Sequence, residues 1–83
     1  MDWSKYSFVV RSKNRKLVLL HLDKPKTPAQ IAGELKLSLP HVSRAIRELE
    51  REGLVECLTP NEKVGRIYKR TELGEEVVNA LQE

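Results

Sequence analysis

Two arginines, Arg44 and Arg47, stand three apart in the stretch Ser38-Leu39-Pro40-His41-Val42-Ser43-Arg44-Ala45-Ile46-Arg47. On a helix that spacing places them on one face. Each guanidinium is a rigid fork of donors that fits a guanine edge or clamps a phosphate. Ser38, Pro40, His41 and Ser43 share the same outward side, and the two serines are small enough for close approach. The acidic residues Glu48, Glu50 and Glu52 come later. A helix that reads base edges with its N-terminal half needs this polarity. The plainer reading is the solvated face of an ordinary amphipathic helix. A second cationic pair, Lys63 and Arg66, flanks Gly65. On a flexible loop tip it would reach a minor groove or the nucleic-acid backbone. The plainer reading there is a solvated turn.

Other chemistries find less support. Cys57 is the one cysteine, which excludes an internal disulfide and a four-cysteine zinc site. Cys57, His21 and His41 show no short ligand spacing, so no metal site is expected. Cys57 reads as a small, half-buried hydrophobe, and His21 as the end of a buried helix. No nucleophile–histidine set with supporting context is present, and no glycine-rich phosphate loop. Neither enzymatic activity nor a cofactor is expected. The 83 residues make one small domain, with little room for a deep substrate cavity of about 300 Å³ or more.

Charge supports the same direction weakly. The net charge is +3, with 15 Lys and Arg against 12 Asp and Glu. Lys5, Arg11, Lys13, Arg15, Lys16, Lys24 and Lys26 face only Asp2 and Asp23 in the first 26 residues, and the remainder is slightly acidic. A basic N-terminal segment attracts phosphate. Arg11–Lys16 is therefore expected to add backbone contacts.

The elements that position these groups are legible from caps and periodicity. Residues 3–10 read as a short helix capped by Asp2 in preference to an extended arm. Ser12 caps a helix over about 13–22 whose second half is apolar nearly all round, which places it centrally. Asp23-Lys24-Pro25-Lys26 reads as a turn. Thr27, Pro28 and Gln30 give a capping box with proline at the first helical position. Ser38 caps a further helix over about 39–52, with Val42, Ala45, Ile46 and Leu49 inside. Gly53 ends it in a left-handed conformation, and Leu54 packs back on Leu49. Residues 54–59 and 66–70 read as the strands of a hairpin. Thr71 caps a last helix over about 72–82. The order is helix, helix, helix, hairpin, helix, mostly α with one small β-hairpin. The two short helices joined by a tight turn over about 27–52 form a helix-turn-helix.

The stretch from Thr27 to Gly74 resembles the winged helix-turn-helix of the MarR and ArsR classes of prokaryotic regulators. The matching pieces are Thr27-Pro28-Ala29-Gln30-Ile31-Ala32, Val42 through Val55 with its Leu49-x-x-x-Gly53-Leu54-Val55, and Tyr68-x-x-Thr71-x-x-Gly74. The resemblance implies one winged-helix domain over 1–83, with the wing at about 54–70. It also implies a transcription regulator that binds double-stranded DNA, usually as a homodimer. Ser43, Arg44 and Arg47 would then be recognition-helix contacts, and Lys63 and Arg66 wing contacts. The sequence departs from the pattern at Arg70, where those families commonly carry an apolar residue. Arg70 must snorkel, pair with an acid or face a partner. The long flanking helices of the MarR-type dimer have no counterpart, so the chain reads closer to a bare DNA-binding domain.

The expected function is sequence-specific regulation of transcription, with the 39–52 helix in the major groove. The alternative is a winged-helix protein-interaction module within a larger transcription or RNA-processing assembly, since the fold serves both roles. Trp3, Tyr6 and Phe8, with Val77, Val78 and Leu81, are either dimer contacts or part of the monomer core. No membrane span and no signal peptide are expected, because Met1-Asp2-Trp3-Ser4-Lys5 lacks a basic and an apolar region. A cytoplasmic location follows as the default.

Overall fold

A computed structural model describes residues 1–82. Five helices and one hairpin follow in the order α1 (Trp3–Val10), α2 (Lys13–His21), α3 (Pro28–Leu35), α4 (Leu39–Arg51), β1 (Val55–Cys57), β2 (Tyr68–Arg70) and α5 (Glu72–Leu81). The N-terminal segment is a helix, as its Asp2 cap predicts. Each helix starts at a short polar side chain that accepts an otherwise unpaired backbone N–H: Asp2, Ser12, Thr27, Ser38 and Thr71. At α3 the cap is reciprocal, with Gln30 N–H donating to Thr27 Oγ1 and Thr27 N–H donating to Gln30 Oε1 at 2.8 Å. The turn from α3 into α4 contains no glycine. Lys36 takes the left-handed conformation there (φ 55°), and Leu37 N–H donates back to the Ala32 carbonyl at 3.1 Å.

The end of α4 and the start of α5 form one junction. Gly53 has φ 75°, its N–H donates to the Glu50 carbonyl, and Leu54 N–H donates to the Leu49 carbonyl at 2.9 Å. These are the two bonds of a Schellman ending. Thr71 closes on that turn from the other side. Its N–H donates to the Leu54 carbonyl, its hydroxyl donates to the Gly53 carbonyl at 2.6 Å, and its Oγ1 accepts from Gly74 N–H. A Cβ at position 74 would collide with the Leu54 carbonyl oxygen. The glycine three positions after the capping threonine thus lets α5 sit against the turn that ends α4.

The hairpin pairs Val55 with Arg70, Glu56 with Lys69 and Cys57 with Tyr68, antiparallel. Its strands are shorter than the 54–59 and 66–70 the sequence predicts. Beyond Cys57 regular pairing gives way: Leu58 N–H still reaches the Ile67 carbonyl at 2.7 Å, but Ile67 N–H turns to the Thr59 hydroxyl. The segment read as a plain turn also contributes. Lys26 and Tyr68 exchange both backbone hydrogen bonds, at 2.9 and 3.1 Å, so a one-residue third strand ties the hairpin to the entry of α3.

One hydrophobic core joins these parts. Val18 and Leu19 of α2, Ile31 of α3, Val42, Ile46 and Leu49 of α4, Leu54, Val55 and Tyr68 of the hairpin, and Val77 and Val78 of α5 are buried together. Val77 and Val78 therefore belong to the monomer core, and the sequence could not decide this. Tyr6 and Phe8 pack on the same core, whereas Trp3 stays exposed against the edge of Tyr6. At the C-terminal end of α2 the last carbonyls run out of helix N–H donors, Leu22 N–H reaching only the Leu19 carbonyl at 3.2 Å. Arg70 resolves this: Nε donates to the Leu19 carbonyl at 3.0 Å and Nη2 to the Leu20 carbonyl at 2.9 Å. Lys26 Nζ donates to the His21 carbonyl at 2.7 Å. Both cations also complement the negative end of the helix dipole.

Candidate nucleic-acid interface

The geometry of α4 follows from its periodicity. Val42, Ala45, Ile46 and Leu49 face the core, so the opposite side carries Pro40, Arg44, Arg47 and Arg51 to solvent. The Arg44 side chain is 75% exposed. Arg47 is exposed and makes no ion pair among the described residues. Arg51 extends the cationic stripe by one turn. Sequence reasoning did not single it out, although its place four after Arg47 and seven after Arg44 signals the same face. Ser38 is occupied as the N-cap. Its hydroxyl accepts from His41 N–H and lies 2.9 Å from His41 Nδ1, so these two side chains hold each other at the surface.

The remaining predicted residues fall into two groups on either flank of that stripe. On one flank, Ser43 and Arg47 of α4 meet Lys63, Gly65 and Arg66 of the wing and Thr27, Pro28 and Ala29 at the start of α3, around an open groove of about 510 Å³. Ser43 is half-buried in this groove, and Leu39 and Val64 add exposed apolar surface that the sequence reading missed. On the other flank His41 and Arg44 lie with Ser12, Asn14 and Arg15 around a cleft of about 240 Å³. The predicted contacts thus line two sides of one helix rather than a single pocket.

Lys63 and Arg66 differ in how the wing uses them. Arg66 Nε donates to the Glu62 carbonyl at 2.6 Å, and Nη2 reaches the Pro60 carbonyl at 3.4 Å. The guanidinium braces the loop from which it projects. Lys63 is exposed and makes no hydrogen bond or ion pair among the described residues. Gly65 has φ 66°, a left-handed turn next to both cations.

The basic N-terminal segment is only in part a free surface. Lys5 Nζ pairs with Glu52 at 2.7 Å, and Arg15 Nε pairs with Glu48 at 3.1 Å. Arg15 also donates to the Phe8 carbonyl and lies 3.9 Å above the Phe8 ring. Lys26 is buried between Asp23 and Glu34. Three of the cations counted toward a phosphate-binding patch are therefore committed internally, which corrects the expectation for Arg15. Arg11, Lys13 and Lys16 remain exposed. The pairing changes α4 itself, since Glu48 and the C-cap residue Glu52 each receive a cation from another helix. Hydrogen bonding to Arg15 holds the Glu48 carboxyl below the usual carboxylate range, and hydrogen bonding to Lys5 does the same for Glu52. Among the described residues no group of three or more His, Cys, Asp and Glu side chains is placed to hold a metal ion.

The family model for "MarR family" matches residues 8–62, from α1 through α4 and into the wing. The chain belongs to the MarR family. Comparison with curated proteins by sequence gives no match. Among solved structures, this MarR-family chain is similar to Lactococcus lactis ZitR in complex with DNA, at 25% identity and a TM-score of 0.71 over 80% of this chain and 47% of that one. It is similar to the reduced form of the transcriptional regulator YodB from B. subtilis, at 25% identity and a TM-score of 0.78 over 99% of this chain and 84% of that one. It shares the fold of TubR bound to 24 bp of tubC from Bacillus thuringiensis, at 17% identity and a TM-score of 0.79 over 93% and 87% of the two chains. The chain spans about half the length of the ZitR chain it matches. The architecture is that of MarR-family winged-helix transcription regulators, and no described helix is long and apolar enough to cross a membrane.

Proposed function

We propose that this MarR-family chain is a sequence-specific, double-stranded DNA-binding regulator of transcription. It is one winged-helix domain that works in the cytoplasm as a homodimer. The observation that carries the reading is the solvent-facing stripe of Arg44 and Arg47 on a helix anchored along its other side by four buried residues. A helix of 13 residues is about 20 Å long and fits a major groove about 12 Å wide. Its outward side presents Pro40, His41, Ser43, Arg44 and Arg47 to base edges, with Ser38 at its cap near the backbone. Lys63 contacts the flanking backbone from the wing, and Arg66 shapes the loop that carries it. Two copies would read half-sites about one turn of DNA apart. The DNA-bound ZitR and TubR structures support the choice of ligand by likeness of fold.

The test is selection of bound duplexes from a random library, followed by mobility-shift titration of the winners at two salt concentrations. A recurrent two-fold symmetric site and salt-sensitive binding are expected. Absence of any salt-sensitive shift at micromolar protein would overturn the reading and favour a protein-interaction module.

A further inference from the structure

Glu48 lies between two arginines that differ in freedom. Its Oε1 accepts from Arg15 Nε at 3.1 Å, and its Oε2 is 3.5 Å from Arg44 Nε. Arg15 comes from α2 and is held from further sides. Its Nη1 donates to the Phe8 carbonyl at 3.0 Å and its guanidinium lies over the Phe8 ring. Arg15 and Glu48 are each about one-fifth exposed, whereas Arg44 reaches into solvent.

Arg44 and Glu48 are four apart on one helix, the spacing at which a carboxylate and a cation close on each other. A carboxylate free at both oxygens takes an arginine fork in two parallel bonds of about 2.7–2.9 Å. The Arg44 contact is longer, and only Nε takes part. The other carboxylate oxygen is committed to a guanidinium anchored on a neighbouring helix. Both Nη groups of Arg44 are left without partners among the described residues.

We infer that Arg15 is a positioning residue for the recognition helix, which restrains Glu48 and so keeps Arg44 open to an acceptor on nucleic acid. This rests on the DNA-binding reading of α4. The inference adds that the free state of Arg44 is maintained by α2, through one shared carboxylate.

The experiment is a double-mutant cycle on the full chain, read as affinity for a selected duplex. Arg15→Gln frees Glu48 and lowers affinity about tenfold, within the range of coupling between groups in one ion-pair network. Glu48→Gln then raises affinity several-fold more in the Arg15→Gln background than in the wild type. Glu50→Gln removes the same charge from the same helix, and its effect is equal in both backgrounds. In an Arg44→Ala chain, Arg15→Gln has little further effect. A loss in Arg15→Gln that Glu48→Gln does not relieve would make Arg15 a direct phosphate contact and overturn the inference. Equal rescue by Glu50→Gln would reduce it to net charge and overturn it as well. A readout without DNA separates this inference from the reading on which it rests. In the free protein, the Arg44 Nε–H proton should exchange more slowly in Arg15→Gln and return to the wild-type rate in Arg15→Gln/Glu48→Gln. An unchanged rate sinks the restraint whatever the protein binds, and wild-type protein that ignores duplex DNA sinks the DNA reading instead.

Discussion

Arg44 leaves 75% of its side chain to solvent and has one ion-pair contact, at 3.5 Å. Arg70 leaves 9% and fastens two backbone carbonyls as well as Glu75. The two residues carry the same fork of donors, and the fold uses them in opposite ways. Arg70 goes to the C-terminal end of α2, where among the described residues the Leu20 carbonyl has no other donor and the Leu19 carbonyl has only Leu22 N–H. Arg44 goes to a face where nothing inside the domain needs a donor. Lys26 follows Arg70, and Arg47 and Lys63 follow Arg44. A count of basic residues therefore overstates the surface available to a polyanion. What marks a candidate contact is a cation for which the fold has no internal use.

The largest expected effect tests the interior half of this contrast. Arg70→Met keeps the apolar stem but deserts the Leu19 and Leu20 carbonyls. Leaving the Leu20 carbonyl without a partner costs about 1–3 kcal/mol, and the Leu19 carbonyl, which keeps Leu22 N–H, loses a charged donor worth about 1.5–3 kcal/mol, so a loss of about 2–5 kcal/mol is expected. Chemical denaturation would show it as a lower midpoint at unchanged slope. At protein concentrations and temperatures where the variant is still folded, affinity for the selected duplex should change little. A variant as stable as the wild type would mean that the α2 terminus finds water or another donor, and the contrast would fail at its first member.

Next in size is the exterior half. Arg44→Ala and Arg47→Ala are each expected to weaken binding to the selected duplex by about 1–3 kcal/mol if they fork onto guanine. Their thermal stability should stay close to wild type, because neither side chain is buried. Affinity for unrelated duplexes should fall less than affinity for the selected one. Unchanged affinity in both variants would remove α4 as the reading helix.

Much of this arrangement was legible beforehand, for reasons that are local. Caps at Asp2, Ser12, Thr27, Ser38 and Thr71, the stop at Gly53 and the apolar period of α4 are short-range signals, and short-range bonds are what form there. The outward placement of Arg44 and Arg47 follows from Val42, Ile46 and Leu49 alone. Contacts between distant segments left no such mark. Nothing near Lys26 announces that it pairs with Tyr68, because a one-residue bridge has no period. Nothing near Arg15 shows that Glu48, on another helix, will pair with it and remove it from the basic surface the sequence predicts. Arg70 stood out as a departure from the family pattern, yet only the course of α2 shows which carbonyls it serves. The left-handed Lys36 had no glycine to signal it.

Acidity provides a milder probe of the interior cations. Hydrogen bonds from Lys26, Arg15 and Lys5 hold Glu34, Glu48 and Glu52 below the ordinary glutamate value of 4.5, and Lys26 holds Asp23 below 3.8. Groups whose folded pKa is depressed stabilise the fold above their unfolded value and lose that contribution as the pH falls through the folded one. Lys26 is shifted the other way, above 10.5, chiefly by its hydrogen bond to Glu34. Its contribution is complete below 10.5 and is lost as the pH rises through the higher folded value. Melting temperature is thus expected to be level between about pH 5.5 and 9.5 and to fall on both sides. In Lys26→Met the acid limb should be shallower, since Asp23 and Glu34 lose the partner that depressed them. An acid limb identical to wild type would show that these pairs are not what the low-pH loss reports.

The smallest effect belongs to Lys63, and it separates two kinds of exterior cation. An arginine that forks onto a base adds discrimination, whereas a lysine on an exposed wing tip neutralises a phosphate and displaces a counterion. Lys63→Ala should therefore weaken selected and unrelated duplexes by the same few-fold factor. The slope of log affinity against log salt should become less steep by about one. Arg66→Ala removes the same charge but also the brace on the Glu62 and Pro60 carbonyls, so its loss should exceed that of Lys63→Ala at equal salt slope. If Lys63→Ala changed sequence preference, the wing would be reading bases, and the division between a reading helix and a positioning wing would have to be redrawn. If it changed neither affinity nor slope, a cation unused by the fold would be insufficient to mark a contact, and the criterion drawn from Arg44 and Arg70 would hold only for α4.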